Sequence, residues 1–305
     1  MSEQATQRLT FIDAAAFEGG DVELYLGCEF TDAPPGKSRM LLLRKDGKWG
    51  HHDVNSSIRS VDISDSPFGF FALCKDGVVS LGDSSQISFE FIEDAGTGAG
   101  KFGYVKRIRN IAGELYVCGD LHQVYRRAGG SWPHIDRDLL IQNPRAIGVS
   151  LNDMDGTDSN DIYSVGDRGV ICHFDGTRWE KLDSPTNCNL ERVLCLSADS
   201  VYVCGNNGVL LHGNRNGWQA LNQDNAIGDT LWGIAEFQGE VYLSTNLQLY
   251  KLRGEVAEPV SSGIAVAGSN SRLTASSSKL WSISANDILV FDGLTWSQVV
   301  YPANT

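Results

Sequence analysis

No stretch of about eighteen apolar residues occurs anywhere in the 305-residue chain, which excludes a helical membrane span, and helical periodicity of any length is also missing. The opening residues, MSEQATQRLTFID, have neither the basic start nor the apolar run of a secretion signal. Seven cysteines are an odd number, and none forms a CxxC pair. That argues against a disulfide framework and against a zinc site. We therefore expect a cytoplasmic protein with reduced thiols, no metal and no cofactor. Positive charge is scarce as well: 25 Lys and Arg face 38 Asp and Glu, a formal charge of −13. Such a field repels nucleic acid and anionic membranes and attracts basic proteins, although solubility alone explains it equally well.

Catalytic motifs are also missing. There is no GxSxG elbow and no HExxH pair. Residues 95–102, AGTGAGKF, imitate a phosphate loop, but Phe102 stands where Ser or Thr must bind magnesium, and a strand follows where a helix is needed. Residues 153–161, DMDGTDSND, carry four carboxylates. A calcium loop needs an acid where Leu151 stands and a Glu where Ile162 stands. An enzyme is not expected.

What the chain does have is an internal repeat. Residues 163–179 (YSVGDRGVICHFDGTRW) overlay residues 200–218 (SVYVCGNNGVLLHGNRNGW), with Gly166 matching Gly205, His173 matching His212 and Trp179 matching Trp218. Residues 115–132 and 279–296 are further copies, and fainter ones lie at 24–49, 69–81 and 241–252. The position of Gly166 recurs at Gly27, Lys75, Gly119, Gly205, Thr245 and Ser284, with spacings of 48, 44, 47, 39, 40 and 39 residues. That is the length of a four-stranded propeller blade, roughly 40–50 residues. Each copy has short runs of Val, Ile, Leu, Tyr and Phe broken by Gly, Asn and Asp, and an apolar run such as VKRIRNI (105–111) or RVLCL (192–196) precedes it. Such a sheet covers its apolar faces only between neighbours in a ring. The expected fold is all-β, a seven-bladed β-propeller with four-stranded blades, filling residues 1–305 as one domain. Its units lie around 14–54, 58–92, 104–135, 146–182, 190–222, 229–260 and 272–301. Residues 8–13 (RLTFID) either start blade one or add to blade seven.

Residues 156–179, GTDSNDIYSVGDRGVICHFDGTRW, resemble the repeat of a broad group of bacterial propellers with VYxVGxxGxIxHxxGxxW-type blades. At the level of architecture alone, the chain also resembles propeller-type immunity proteins paired with secreted antibacterial effectors, such as those of type VI secretion. His173 and His212 repeat in register and read as structural. Cys74, Cys118 and Cys204 read as small buried hydrophobes.

In a propeller, the loop between the second and third strands lies on the same face as the link between blades. Those loops supply Glu29, Asp32, Asp76, Asp120, Asp167, Asn206, Asn207, Asn246 and Asp287, and the links add Glu93, Asp94, Asp136, Asp138, Asp183, Asp224 and Asp229. This set is the expected partner-binding face, suited to a basic protein. Tight hairpins favour the same residue types, so the face reads equally as a set of turn formers. Taken together, these features point to an immunity protein that neutralises a toxin, best a nuclease, by covering its basic cleft. The alternatives are a cytosolic scaffold for a protein complex and a carbohydrate-binding or glycan-processing propeller, for which Trp232 and Trp281 would be the stacking platforms.

Overall fold

A computed structural model describes residues 7–32, 34–83, 86–143, 146, 148–221, 227–264 and 272–304. The strands fall where the Val-, Ile-, Leu- and Tyr-rich runs were quoted, and they form seven antiparallel sheets around an axis. The innermost strands are Leu9–Ala16, Ile58–Asp65, Val105–Ile111, Leu151–Asp158, Leu190–Ser197, Gly233–Phe237 and Arg272–Ala275. Each packs against the next, and the seventh packs against the first, so the ring is closed.

Six blades have four strands in meander order. The third has three ladder strands, ending at Val124–Arg126, and its outer position is held by isolated bridges, Tyr125 to His134 and Ala128 to Ser131. Among the described residues the only helical turns are three-residue 3₁₀ segments, and no helix is long and apolar enough to cross a membrane.

Residues 8–13 start the first blade. Leu9–Ala16 pairs along Val22–Phe30, so the first unit begins at Leu9 rather than near 14. The seventh blade is built from residues 272–299, and among the described residues no strand from the N-terminal region joins it. Closure is therefore a seam between two complete sheets. Leu9, Phe11, Leu24, Leu26 and Leu41 pack there against Trp281, Ile283 and Ile288, all buried. Asn304 clasps the seam: Leu9 N donates to its Oδ1 at 2.9 Å, and its Nδ2 donates to Leu9 O at 2.9 Å.

The repeated glycine has a physical reason. At Gly166 an added Cβ would lie 1.9 Å from Ser150 O, at Gly205 2.1 Å from Asn189 O, and at Gly119 2.4 Å from Tyr104 O. At each of these corners the second strand presses against the chain that leads into the innermost strand, and a side chain would break the contact. The residue after each glycine uses that proximity, since Asp167 N donates to Ser150 O and Asn206 N to Asn189 O.

Between blades the core is apolar. Blades four and five share Tyr163, Val165, Ile171, Leu190, Val193, Val201, Val203 and Leu211, each worth roughly 1.5–3 kcal/mol of burial. His173 and His212 are structural: His173 Nε2 meets Asp161 at 2.8 Å over the Tyr163 ring, and His212 Nε2 meets Ser200 Oγ at 3.1 Å over Tyr202. Cys74, Cys118 and Cys204 are buried free thiols, with pKa values raised by burial. Trp281 is fully buried and Trp232 lies beside the Arg272 guanidinium, so neither is an open stacking platform.

Candidate functional site

Antiparallel order puts the second-to-third loops and the inter-blade links on one end of the ring. The acidic set lies there, and it divides into two groups. One group is engaged within the fold. Asp76 accepts from Ser56 Oγ at 2.7 Å. Asp120 accepts from Tyr104 N at 3.0 Å and from Ser150 Oγ at 2.8 Å, with Lys106 Nζ at 3.7 Å. Asp167 accepts from Ser150 N at 3.1 Å, Asn206 from Thr230 Oγ1 at 3.4 Å, and Asp287 from Gln298 Nε2 at 3.1 Å. Asp76, Asp120, Asp167 and Asn206 thus fasten the lead-in to an innermost strand, whereas Asp287 holds the outermost strand of its own blade. Asn207 adopts φ 57°, the left-handed turn position shared with Arg168 and His122, and Asn246 is engaged too.

The links repeat the division. Asp94 and Asp136 grip His134 from both sides: Nε2 meets Asp94 at 2.6 Å and Nδ1 meets Asp136 at 2.8 Å. Tyr125 OH donates to Asp94 at 2.8 Å, and Val124 N donates to the buried Asp136. Burial alone would lower the His134 pKa, but the two carboxylates outweigh it and raise the value. Sequence reading missed His134, because His-x-Asp in a link has no distinguishing pattern.

The second group is Asp32, Glu93, Asp138, Asp183 and Asp229. All are exposed, and none has a hydrogen bond or ion pair among the described residues. The Glu29 side chain is half-buried and likewise without one. Asp224 lies outside the described residues. Lys75, Lys101 and Arg137 share this end of the ring. Acids are not confined to it, because Glu18, Asp21, Asp46, Asp175 and Asp292 occupy hairpins at the opposite end, each held in a hydrogen bond or ion pair, that of Glu18 reaching Ser278 in the seventh blade.

The phosphate-loop mimic, residues 95–102, is a link folded back on itself, with Gly96 bridging Gly103. It walls a cavity of about 370 Å³ together with Asp120, Leu121 and Gly148–Ser150. The carboxylates of residues 153–161 do not converge. Asp153 and Asp155 lie in an innermost strand and Asp161 faces His173. Among the described residues no group of three or more His, Cys, Asp or Glu is placed to hold a metal ion.

The most unexpected feature is ionic and lies at the axis. Arg107 Nη1 meets Asp13 at 2.7 Å and its Nε meets Asp153 at 2.9 Å, while Arg109 Nη2 reaches Asp153 at 3.4 Å. The aspartates also bridge blades through backbone donors. Val61 N donates to Asp13, Asn110 N to Asp62, Val193 N to Asp153 and Cys195 N to Asp155. Innermost strands of neighbouring blades form no ladder, and these carboxylates supply hydrogen bonds in its place. Burial would raise the Asp13 carboxyl, but Arg107, Arg192 and Arg272 outweigh it and hold it down at about 2. At Asp155 burial wins over Arg109, and the carboxyl is pushed up to about 6.

No family model matches the chain. Among solved structures it is similar to the WD40 β-propeller domain of Doa1 (TM-score 0.71, 12% identity, 96% of this chain and 95% of that one). It is also similar to YCF48 bound to D1 peptide (TM-score 0.67, 15% identity, 93% and 91%). Identities this low speak for the propeller fold alone. A curated relative carries more weight: the immune protein Tsi7 of Pseudomonas aeruginosa is 34% identical over 224 residues, 73% of each chain. The identity extends across most of the ring rather than over one repeated blade, and the chain belongs to the family of the immune protein Tsi7.

Proposed function

We propose that this chain is a non-catalytic immunity protein that neutralises a secreted antibacterial toxin by binding it in the cytoplasm of the cell that makes both. The relationship to the immune protein Tsi7 carries this reading. The exposed carboxylates Asp32, Glu93, Asp138, Asp183 and Asp229 support a docking surface on the loop-and-link end of the ring. Asp76, Asp120 and Asp167 set the shape of that surface and add charge, but their first task is to hold corners. A basic partner suits a chain of formal charge −13 and associates with it faster. A nuclease domain is the partner class that fits best, because a groove that binds phosphates must be positive, and carboxylates compete for it. The protein would then inhibit by occupying the groove.

The test is to co-express the chain with the toxin domain encoded beside it and to assay growth, co-purification and nuclease activity. Stoichiometric capture, rescue of growth and loss of DNA cleavage are expected. A linked toxin domain that neither binds nor is inhibited would overturn the proposal. Inhibition of a linked toxin with different chemistry would keep the immunity role and remove the nuclease assignment.

A further inference from the structure

At the axis, cations and carboxylates are not matched evenly. Asp13 and Asp153 are engaged by Arg107 and Arg109. Two more guanidiniums, Arg192 and Arg272, stand near the loop-and-link end of the axis, on the third residue of Leu190–Ser197 and the first of Arg272–Ala275. Arg192 is buried, and its Nη1 has a single acceptor, Glu191 O at 2.6 Å. Arg272 Nη1 donates to Trp232 O at 3.2 Å, and its carbon lies 5.7 Å from the Trp232 ring centroid. Its Nε is buried with no acceptor, and so is Trp232 Nε1. Neither guanidinium has a carboxylate within ion-pair distance among the described residues. Among the described residues the innermost strand of blade six, which separates them, offers no carboxylate at this level, since its Glu236 lies toward the far end and binds Gly239 N there.

A buried cation with no carboxylate at ion-pair distance is costly, and here two of them repel each other while Asp13 acts on both from farther off. Burial and Arg192 push Arg272 down to about 9, and burial and Arg107 lower Arg192. The buried unsatisfied groups here are donors, Arg272 Nε and Trp232 Nε1, and the half-buried Glu191 carboxylate acts on both guanidiniums only from beyond ion-pair distance. Arg272 is only partly covered, so a small group can reach it from outside.

We propose that the loop-and-link end of the axis, between Arg192 and Arg272, is an oxyanion-binding site that takes a phosphate or carboxylate group. Guanidinium forks suit both groups, because two parallel N–H donors match two oxygens. The site puts a positive centre inside a rim of carboxylates. It does not depend on the toxin reading.

The test uses the whole chain with inorganic phosphate or acetate against chloride at equal ionic strength, followed by thermal melting and calorimetry. A saturable rise in Tm with phosphate, acetate or both is expected, since ligand bound only to the folded state stabilises it. Phosphate alone points to a free phosphate group, and acetate alone to a carboxylate side chain supplied by a partner. Arg272→Gln is expected to weaken binding by about tenfold or more, and Arg192→Gln likewise. Without either oxyanion, R272Q is expected to melt at or above the parent. The proposal is overturned if neither oxyanion does more than chloride, or if both variants bind as the parent does. A fall in the melting point of R272Q in oxyanion-free buffer would also overturn it, by showing that the fold already satisfies this cation.

Discussion

Asp155 allows a test of the axial electrostatics that separates charge from packing. Its Oδ2 accepts from Cys195 N at 2.7 Å, and burial outweighs Arg109 to push its carboxyl up to about 6. The sign follows from linkage. A carboxyl raised above its unfolded value contributes stability that is complete below the unfolded pKa and is lost as pH rises through the folded one. The window therefore runs from about 4 to about 6. At neutral pH the charged form costs at most about 3 kcal/mol, and about 2 kcal/mol once the partial exposure of Asp155 is allowed to screen it. Asp155→Asn keeps an acceptor for Cys195 N and removes the charge. Urea unfolding of both proteins is to be measured from about pH 4.5 to about pH 7.5. D155N should gain about 1 kcal/mol on the parent across that range. Any constant cost of the amide cancels in the comparison. A difference that stays flat with pH would refute the claim that desolvation governs this carboxyl.

Three further outcomes follow from the same geometry. Arg107→Met leaves Asp13 and Asp153 buried without their shared cation, and urea titration should show a loss of about 3–5 kcal/mol. Gly166→Ala sets a Cβ 1.9 Å from Ser150 O, so unfolding should show a loss of about 3 kcal/mol or more. Combined Lys substitution of Asp32, Glu93 and Asp138 should leave stability within about 0.5 kcal/mol while weakening toxin binding at low salt. Reversal at Asp120 and Asp167 should instead lower the melting temperature, because those carboxylates hold Ser150 and Tyr104.

The blades were legible because each repeats one local problem, a corner where only glycine fits against the incoming chain. Gly166, Gly205 and Gly119 recur for that reason, and the Trp and His positions follow in register. The carboxylates of the loops were visible but their roles were not. Asp120 as a clamp on Ser150 differs from Asp138 as an exposed acid only through contacts that span blades. The axial ion network was missed, although its signal was present in runs already taken as innermost strands: Arg107 and Arg109 in VKRIRNI, and Arg192 at the head of RVLCL. Charges in strands covered on both sides need partners. Those partners, Asp13 and Asp153, lie 94 and 46 positions away along the chain, and local periodicity carries no record of such pairings. The third blade misled in a smaller way, because its Gly-Gly-Ser-Trp corner promises an outer strand where only isolated bridges form.

The seam clasped by Asn304 has a consequence for how the molecule can be cut and rejoined. Since among the described residues no sheet borrows a strand from the other end of the chain, every sheet described is encoded by one uninterrupted stretch. A short linker from residue 304 to residue 9, with new ends opened in any other inter-sheet connection, would give a circular permutant with all seven sheets whole. Whole modules can likewise be exchanged between relatives at the gene level without splitting a sheet.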